Sequence, residues 1–222
     1  MRWLVGIALL VIVVRRIGTE RIADLVRWAD QRLELFSPRG AGLYARFAVP
    51  LLESLYQRVA DEVAALAPDT VLDVGTGPGA LAIEIATRCG SCSVIGVDLA
   101  PEMLAIAEGR ARGAGVADRV RFQVADAAAL PLADASVDVA VSTLSLHHWR
   151  DPAAILRELH RVVRPGGRVL IYDLRFSYSA RQFAAHVAQT PFAAGNIASA
   201  PLRAGPLPIA LYARFELARP ST

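Results

Sequence analysis

Val71 to Leu81, VLDVGTGPGAL, leaves the chain few folds to choose from. Val71, Leu72 and Val74 form an apolar run of strand type that carries one acid, Asp73. The run breaks into Gly75, Gly77 and Gly79, and a helix-period pattern resumes at Leu81, Ile83 and Ile85. This order predicts a strand, a tight glycine turn and the first turn of a helix. Glycine is needed where the backbone takes positive φ or passes close to a ligand, and a helix start aims free N–H groups at that ligand. Three glycines at alternate positions after an acid-bearing strand mark a nucleotide-like cofactor site rather than an ordinary strand-to-helix turn.

Strand and helix patterns alternate from there. Strands are expected at about 70–74, 93–98, 120–124, 137–142 and 168–173, with helices at about 79–88, 101–113, 152–163 and 178–189. A helix pattern over Leu51–Leu66 precedes them and stops at Pro68-Asp69, while Ile209–Leu217 reads as a final strand with a partner around 198–204. Alternation of this kind makes an α/β, doubly wound parallel sheet with helices on both faces. Ligands in such sheets bind beyond the carboxyl ends of the strands.

The 222 residues suit one such domain plus a short extension. With 54% apolar and 20% charged residues the chain is not disordered, and its mean hydropathy of +0.38 hints at more than a soluble core. All 24 basic residues are Arg, but no basic run with interleaved aromatics occurs, so no nucleic-acid partner is expected. Cys89-Gly-Ser-Cys92 lacks a second cysteine pair to complete a tetrahedral metal site, and reads as two ordinary thiols with no metal.

The extension has its own pattern. Trp3–Val14 is an uncharged apolar run of 12 residues between Arg2 and Arg15-Arg16. A spanning helix needs ~20 residues, and no small-x-small cleavage site follows. Ile22, Leu25, Ala29, Leu33 and Phe36 then recur at helical spacing with charged residues on the other faces. Residues 1–37 are thus a hydrophobic and amphipathic helical extension, and 38–222 the domain, with Ser37-Pro38-Arg39-Gly40 as the break. Residues 3–36 read as a membrane-surface anchor or as a helix packed on protein, with a single span third. The expected location is cytoplasmic, with membrane association through this helix.

Gly75-Thr76-Gly77-Pro78-Gly79-Ala80 fits G-x-G-x-x-G/A and G-x-G-x-G equally, so it does not name a cofactor. Asp98 ends the next strand, as a partner for ribose hydroxyls or as a helix N-cap before Pro101-Glu102. Asp126-Ala127 ends the third strand, where an adenine amino group can donate to the acid.

With VLDVGTGPG, VIGVDLAPEML, VADAAALPL, VDVAVSTLSLHHW and LRELHRVVRPGGRVLI in this order, the chain resembles the class I S-adenosylmethionine-dependent methyltransferases. Within them it is similar to the small-molecule group that includes the quinone-ring methyltransferases. The likeness covers about Tyr44 to the C-terminus and is strongest over 71–173. It implies a Rossmann-like sheet of seven strands in order 3-2-1-4-5-7-6 with strand 7 antiparallel, and S-adenosyl-L-methionine as cofactor. It further implies that Gly75, Thr76, Gly77 and Gly79 hold the methionine portion while Asp73 orients the turn and the amino group. Asp98 would hold the ribose, Leu99 and Met103 would pack on adenine, Asp126 and Ala127 would bind its edge, and Ser142 would line the pocket near the sulfonium. Pro165-Gly166-Gly167 is implied to be a structural turn into strand 5.

Methyl transfer is an in-line displacement at a carbon activated by positive sulfur, so the main task is alignment. A base is needed only when the nucleophile must lose a proton. His147 and His148 follow the fourth strand, where an acceptor would reach the cofactor, and imidazole titrates in a suitable range. Packing or hydrogen bonding is the competing reading for both. His160 and His186 fall in helix patterns and read as structural or surface residues. Arg157, Arg161 and Arg164 share a helix face, either solvated beside Glu158 and nearby acids or turned toward anionic headgroups.

About 35 residues, rich in Pro and Gly, separate the fifth strand from the last, without a large inserted lid. A modest cover from this stretch and Tyr44–Phe47 suits a small or flat acceptor, or one presented at a membrane. The expected function is methylation of a small, apolar molecule. Its rivals are a nicotinamide-dependent oxidoreductase, which rests on the glycine pattern alone, and a catalytically silent membrane-associated cofactor-binding protein.

Overall fold

The computed structural model describes residues 42, 46, 49–175, 177–195, 197–205 and 210–221. The expected apolar run at 3–14, the amphipathic helix, the break at 37–40 and most of Tyr44–Phe47 lie outside the described residues. Among the described residues no helix is long and apolar enough to cross a membrane.

The chain order is helix α1 (Val49–Ala64), strand β1 (Thr70–Val74), α2 (Ala80–Cys89), β2 (Ser93–Asp98), α3 (Pro101–Gly113), β3 (Val120–Val124) and β4 (Val137–Thr143). A short 3-10 turn (Leu146–His148) leads to α4 (Pro152–Val162), β5 (Val163–Leu174), α5 (Ala180–Val187), a second 3-10 turn (Pro191–Ala194), β6 (Ile197–Leu202) and β7 (Tyr212–Ala218). One seven-stranded sheet runs β3-β2-β1-β4-β5-β7-β6. Its first five strands are mutually parallel, and β7 is antiparallel to both β5 and β6.

Alternation along the strands divides the core between the two faces of the sheet. Val71, Val94, Val139 and Val141 meet Leu55, Val59 and Val63 of α1 and Leu81 and Ile85 of α2. On the other face Leu72, Ile95, Ala140, Val169 and Ile171 meet Leu156 and Leu159 of α4 and Phe183 of α5. A fully buried Leu of this kind contributes about 1.5–3 kcal/mol over an exposed one, so both faces are firmly held. The sheet's carboxyl ends are thereby fixed as a rim.

The fifth strand starts earlier than the pattern predicts. Val163 pairs with Val137, and the register then jumps to Arg168 opposite Val139, so Pro165-Gly166-Gly167 forms an irregularity within β5. Gly166 takes φ 80°, its N–H donates to Arg219 O (2.9 Å), and Arg219 N–H donates back to Gly167 O (3.0 Å). Arg219 also donates through Nη1 to the carbonyls of His160 (2.8 Å) and Val163 (2.6 Å), closing the end of α4. The turn is structural, as the sequence implies.

Two glycines test this geometry. A Cβ on Gly167 would lie 2.5 Å from Asp138 O, whereas one on Gly109 in α3 meets nothing within 4 Å. Gly167→Ala is expected to destabilise the fold by ~1–3 kcal/mol through overpacking against backbone. Gly109→Ala is expected to stabilise it by up to ~1 kcal/mol through helix propensity. Urea denaturation midpoints read both, and equal midpoints for the two variants would contradict the packing described.

Candidate active site

The glycine turn is held by the neighbouring strand. β1 and β2 pair with Val74 beside Val97, and the N–H groups of Gly75 and Thr76 both donate to Val97 O (2.9 and 3.0 Å). Gly77 N–H then donates to Asp98 Oδ2 at 2.8 Å, while Asp98 Oδ1 accepts Ala100 N–H at 3.0 Å. Gly75, Gly77 and Gly79 all take positive φ (70°, 52° and 74°). A Cβ on Gly75 would sit 2.4 Å from Ser145 Oγ and one on Gly79 2.7 Å from the Ala107 Cβ, but at Gly77 the space is open. The first and third glycines permit close packing, and the middle one faces free volume.

That volume is a cavity of about 1250 Å³ beyond the carboxyl ends of the strands. Ligand sites commonly measure ~300–1,000 Å³, so there is room for a cofactor and an acceptor together. Gly75, Thr76, Gly77, Asp98, Leu99, Met103, Asp126, Ala127, His147 and His148 all line it. Leu99 is 69% exposed, an apolar side chain left open at the lip. Asp126 Oδ1 accepts Ala128 N–H at 2.9 Å, which shapes the loop after β3.

Three expected residues stand outside this wall. Asp73 is buried beneath the turn and accepts the Thr76 hydroxyl at 2.7 Å. Gly79 backs onto Ala107 and Phe122. Ser142 does not line the pocket as expected: its hydroxyl is buried and donates to Val74 O at 2.9 Å, tying β4 to β1. Successive strand side chains point to opposite faces, and Thr143 lines the wall in its place.

Leu52, Tyr56, Leu144, Ile155 and Leu174 also line the cavity. Leu144 has φ 54°, a left-handed conformation that costs a branched residue ~1–2 kcal/mol, and its N–H donates to Tyr172 O at 2.8 Å. Beside it, His147 Nδ1 lies 2.8 and 3.0 Å from the two carboxylate oxygens of Asp173. Asp173 is a functional candidate that the motif pattern does not mark. A single acid closing the apolar run Val169–Tyr172 is the sequence signal that could have found it.

Other candidates take structural positions. Arg161 donates to Leu130 O (3.0 Å), Leu132 O (2.8 Å), Asp134 (2.6 Å) and Glu158, while Leu130 N–H donates to Glu158 Oε1 (2.8 Å). This network holds the loop that carries Asp126 and Ala127. The expected arginine face does not form, because α4 ends at Val162 and Arg164 lies in β5, where it pairs with Asp138 at 2.6 Å; Arg157 donates to Gln189 O at 3.3 Å, so all three arginines have partners within the chain. His160 stacks edge-on to Phe192 with ring centroids 4.9 Å apart, and burial lowers its pKa. Cys89 and Cys92 are free, and burial pushes the Cys92 thiol up to about 12, which keeps it protonated.

Comparison with known proteins follows the same core. Residues 72–171 match the model of a methyltransferase domain. Over 126 residues the chain is 40% identical to the 27-O-demethylrifamycin SV methyltransferase of Amycolatopsis mediterranei, covering 55% of this chain and 46% of that protein. Over 117 residues it is 38% identical to the demethylmenaquinone methyltransferase of Thermus thermophilus, covering 53% and 52%. The chain thus spans about half the length of these curated relatives. Its fold matches the geranyl diphosphate C-methyltransferase of Streptomyces coelicolor, crystallised with Mg2+, geranyl-S-thiolodiphosphate and S-adenosyl-L-homocysteine. That match has a TM-score of 0.57 and 18% identity, over 68% of this chain and 69% of that one.

The buried acid under the turn has a measurable signature. Burial, helped by the Asp98 charge, outweighs the Thr76 hydrogen bond and pushes Asp73 from the ordinary 3.8 to about 7. The unfolded chain therefore releases this proton at lower pH than the folded one. Asp73 costs stability progressively as pH rises from about 4 to about 7. Asp73→Asn is expected to remove that slope and to raise the urea midpoint relative to the parent at pH 8 more than at pH 5. A parent and variant that lose stability in parallel over this range would contradict the assignment.

Proposed function

We propose that the chain, whose residues 72–171 match a methyltransferase domain, uses S-adenosylmethionine to methylate a small, apolar acceptor. The observation that carries this is the glycine turn latched to Val97 and Asp98 at the mouth of a cavity large enough for two molecules.

The residues present suit the cofactor. Each Asp98 carboxylate oxygen accepts one backbone N–H, which leaves acceptor capacity on both for a pair of ribose hydroxyls. Exposed Leu99 offers apolar surface for a purine, Met103 is a buried part of the same lining, and Asp126 retains Oδ2 for an amino group at its edge. Gly77, open on its exposed side, lets a ligand approach the backbone. Thr76 and Asp73 brace the turn from below. S-adenosylmethionine, when bound, supplies a methyl group on positively charged sulfur that departs as a neutral thioether.

The acceptor reading rests on Leu52, Leu144, Ile155 and Leu174, apolar residues that line the same cavity as the turn. The names of the Amycolatopsis and Thermus relatives, which specify a demethylated rifamycin and a demethylated menaquinone, support a small organic acceptor. The antiparallel β7 and the methyltransferase match favour methyl transfer over the nicotinamide reading. We assign 38–222 to this domain, with 1–37 as an extension that serves as a membrane-surface anchor or packs on protein.

Calorimetric titration with S-adenosylmethionine, S-adenosylhomocysteine and NADH tests the cofactor. Binding of the two sulfur ligands without NADH is the expected result, and NADH binding alone would overturn the proposal. Asp98→Ala is expected to weaken the sulfur ligands by ~1–3 kcal/mol through loss of a charged acceptor. Unchanged affinity would remove Asp98 from the ribose site.

A further inference from the structure

We propose that the methyl acceptor carries an oxyanion group beside its apolar body, and that the guanidinium of Arg150 selects it. This rests on the methyl-transfer reading and adds the charge of the substrate to it.

The charged residues of the cavity lining are Asp98, Glu102, Asp126, Arg150 and Asp151. The first three come from β2, from the start of α3 and from the loop after β3. In the order of the sheet β2 and β3 lie on one side of β1, and β4 lies on the other. Arg150 and Asp151 belong to the stretch between β4 and α4, whose neighbours Leu144 and Ile155 are apolar parts of the same lining. The acids suited to ribose and adenine are therefore on one half of the rim, and the arginine is on the other.

Asp151 does not neutralise its neighbour. It is the N-cap of α4, and its Oδ1 accepts Ala154 N–H at 2.9 Å. That carboxylate offsets the positive end of an 11-residue helix. Arg150 itself has no ion pair and donates no hydrogen bond among the described residues, whereas Arg161, Arg164 and Arg219 are all held by carboxylates or carbonyls of the chain. It is also the one arginine among the described residues that lines this cavity.

Its backbone is fixed from both sides. On the residue before, the Trp149 N–H donates to Leu146 O at 3.1 Å and the indole N–H to Ser145 Oγ at 2.9 Å; on the residue after stands the Asp151 cap. The side chain is exposed at the lip, where a ligand meets it before the apolar interior. A guanidinium presents a planar fork of donors that matches two oxygens of a carboxylate or a phosphate. An acceptor that puts its apolar body against Leu144 and Ile155 and its oxyanion on Arg150 uses both features of this stretch. A neutral acceptor leaves the charge without a use.

Calorimetric titration of the full chain, loaded with S-adenosylhomocysteine, reads the preference with three probes on one ring system: 1-naphthoate, 1-naphthyl phosphate and 1-naphthamide. Either anion is expected to bind about tenfold more tightly than the amide. The tighter of the two identifies the group as carboxylate or phosphate. Added salt is expected to weaken the anions and leave the amide unchanged. Arg150→Gln is expected to abolish the preference while S-adenosylhomocysteine binds as in the parent. Arg150→Lys, which keeps the charge without the fork, is expected to bind the anions several-fold more weakly than the parent. An amide that binds as tightly as both anions, no binding by either anion, or a preference that survives in Arg150→Gln overturns the assignment. Loss of S-adenosylhomocysteine from Arg150→Gln overturns it too, by placing the residue with the cofactor. If that variant does not fold, Arg150→Lys decides, since parent-like affinity for both anions there removes the role of the fork. Failure of the parent to bind S-adenosylhomocysteine would sink the cofactor reading separately, because the probes are also titrated into the free chain.

Discussion

The carboxyl tip of β2 holds the turn that follows β1, and the site depends on that grip. Val97 O accepts two consecutive N–H groups and Asp98 accepts the next available one, so three backbone donors that would otherwise be orphaned are satisfied by the adjacent strand. The turn can then present Gly77 to the cavity without losing its shape. Asp98 serves two purposes at once, since the same carboxylate that fixes the turn retains lone pairs toward the ligand space. A site built this way is stiff before anything binds, which suits a reaction governed by alignment.

The second half of the site comes from β4 and β5. Leu144 holds a left-handed conformation just past β4, and its N–H reaches Tyr172 O on β5. The short turn that follows places His147 beside the end of β5, where Asp173 is the penultimate residue of the strand. Backbone strain of this sort persists only where surrounding bonds over-determine it. Ser145 adds one such bond, accepting the Trp149 indole N–H at 2.9 Å while lying close to Gly75. The two halves of the cavity therefore touch at Gly75 and Ser145, and a side chain at position 75 would force them apart.

Charged residues distant from the chemistry do mechanical work. Arg161 collects carbonyls and carboxylates from the loop after β3, and Asp138 Oδ2 accepts the N–H groups of Asp69 and Thr70 at 2.7 Å each, fixing the lead-in to β1. In a chain whose basic residues are all arginine, the planar five-donor fork makes several such bonds per side chain, as Arg161 and Arg219 do.

The sequence by itself determined the element order of the domain and the glycine turn that lines the cavity. Alternation of apolar strands with helical periods over most of the domain, and glycines at 75, 77 and 79, are local signals, because each follows from backbone sterics and from the period of a single element. Asp98 and Asp126, at the end of β2 and just past β3, converge on the cavity for the same reason, since parallel strands place their carboxyl ends on one rim. Partnership between elements was decided only in the folded chain. Thr143 rather than Ser142 lines the cavity because alternation on β4 sets which side chain faces it, and a motif cannot say which. Asp173 and His147 are 26 residues apart, and only the pairing of β4 with β5 brings the carboxylate under the ring. Side-chain chemistry that spans two strands is a property of register, and register forms only when the whole sheet does.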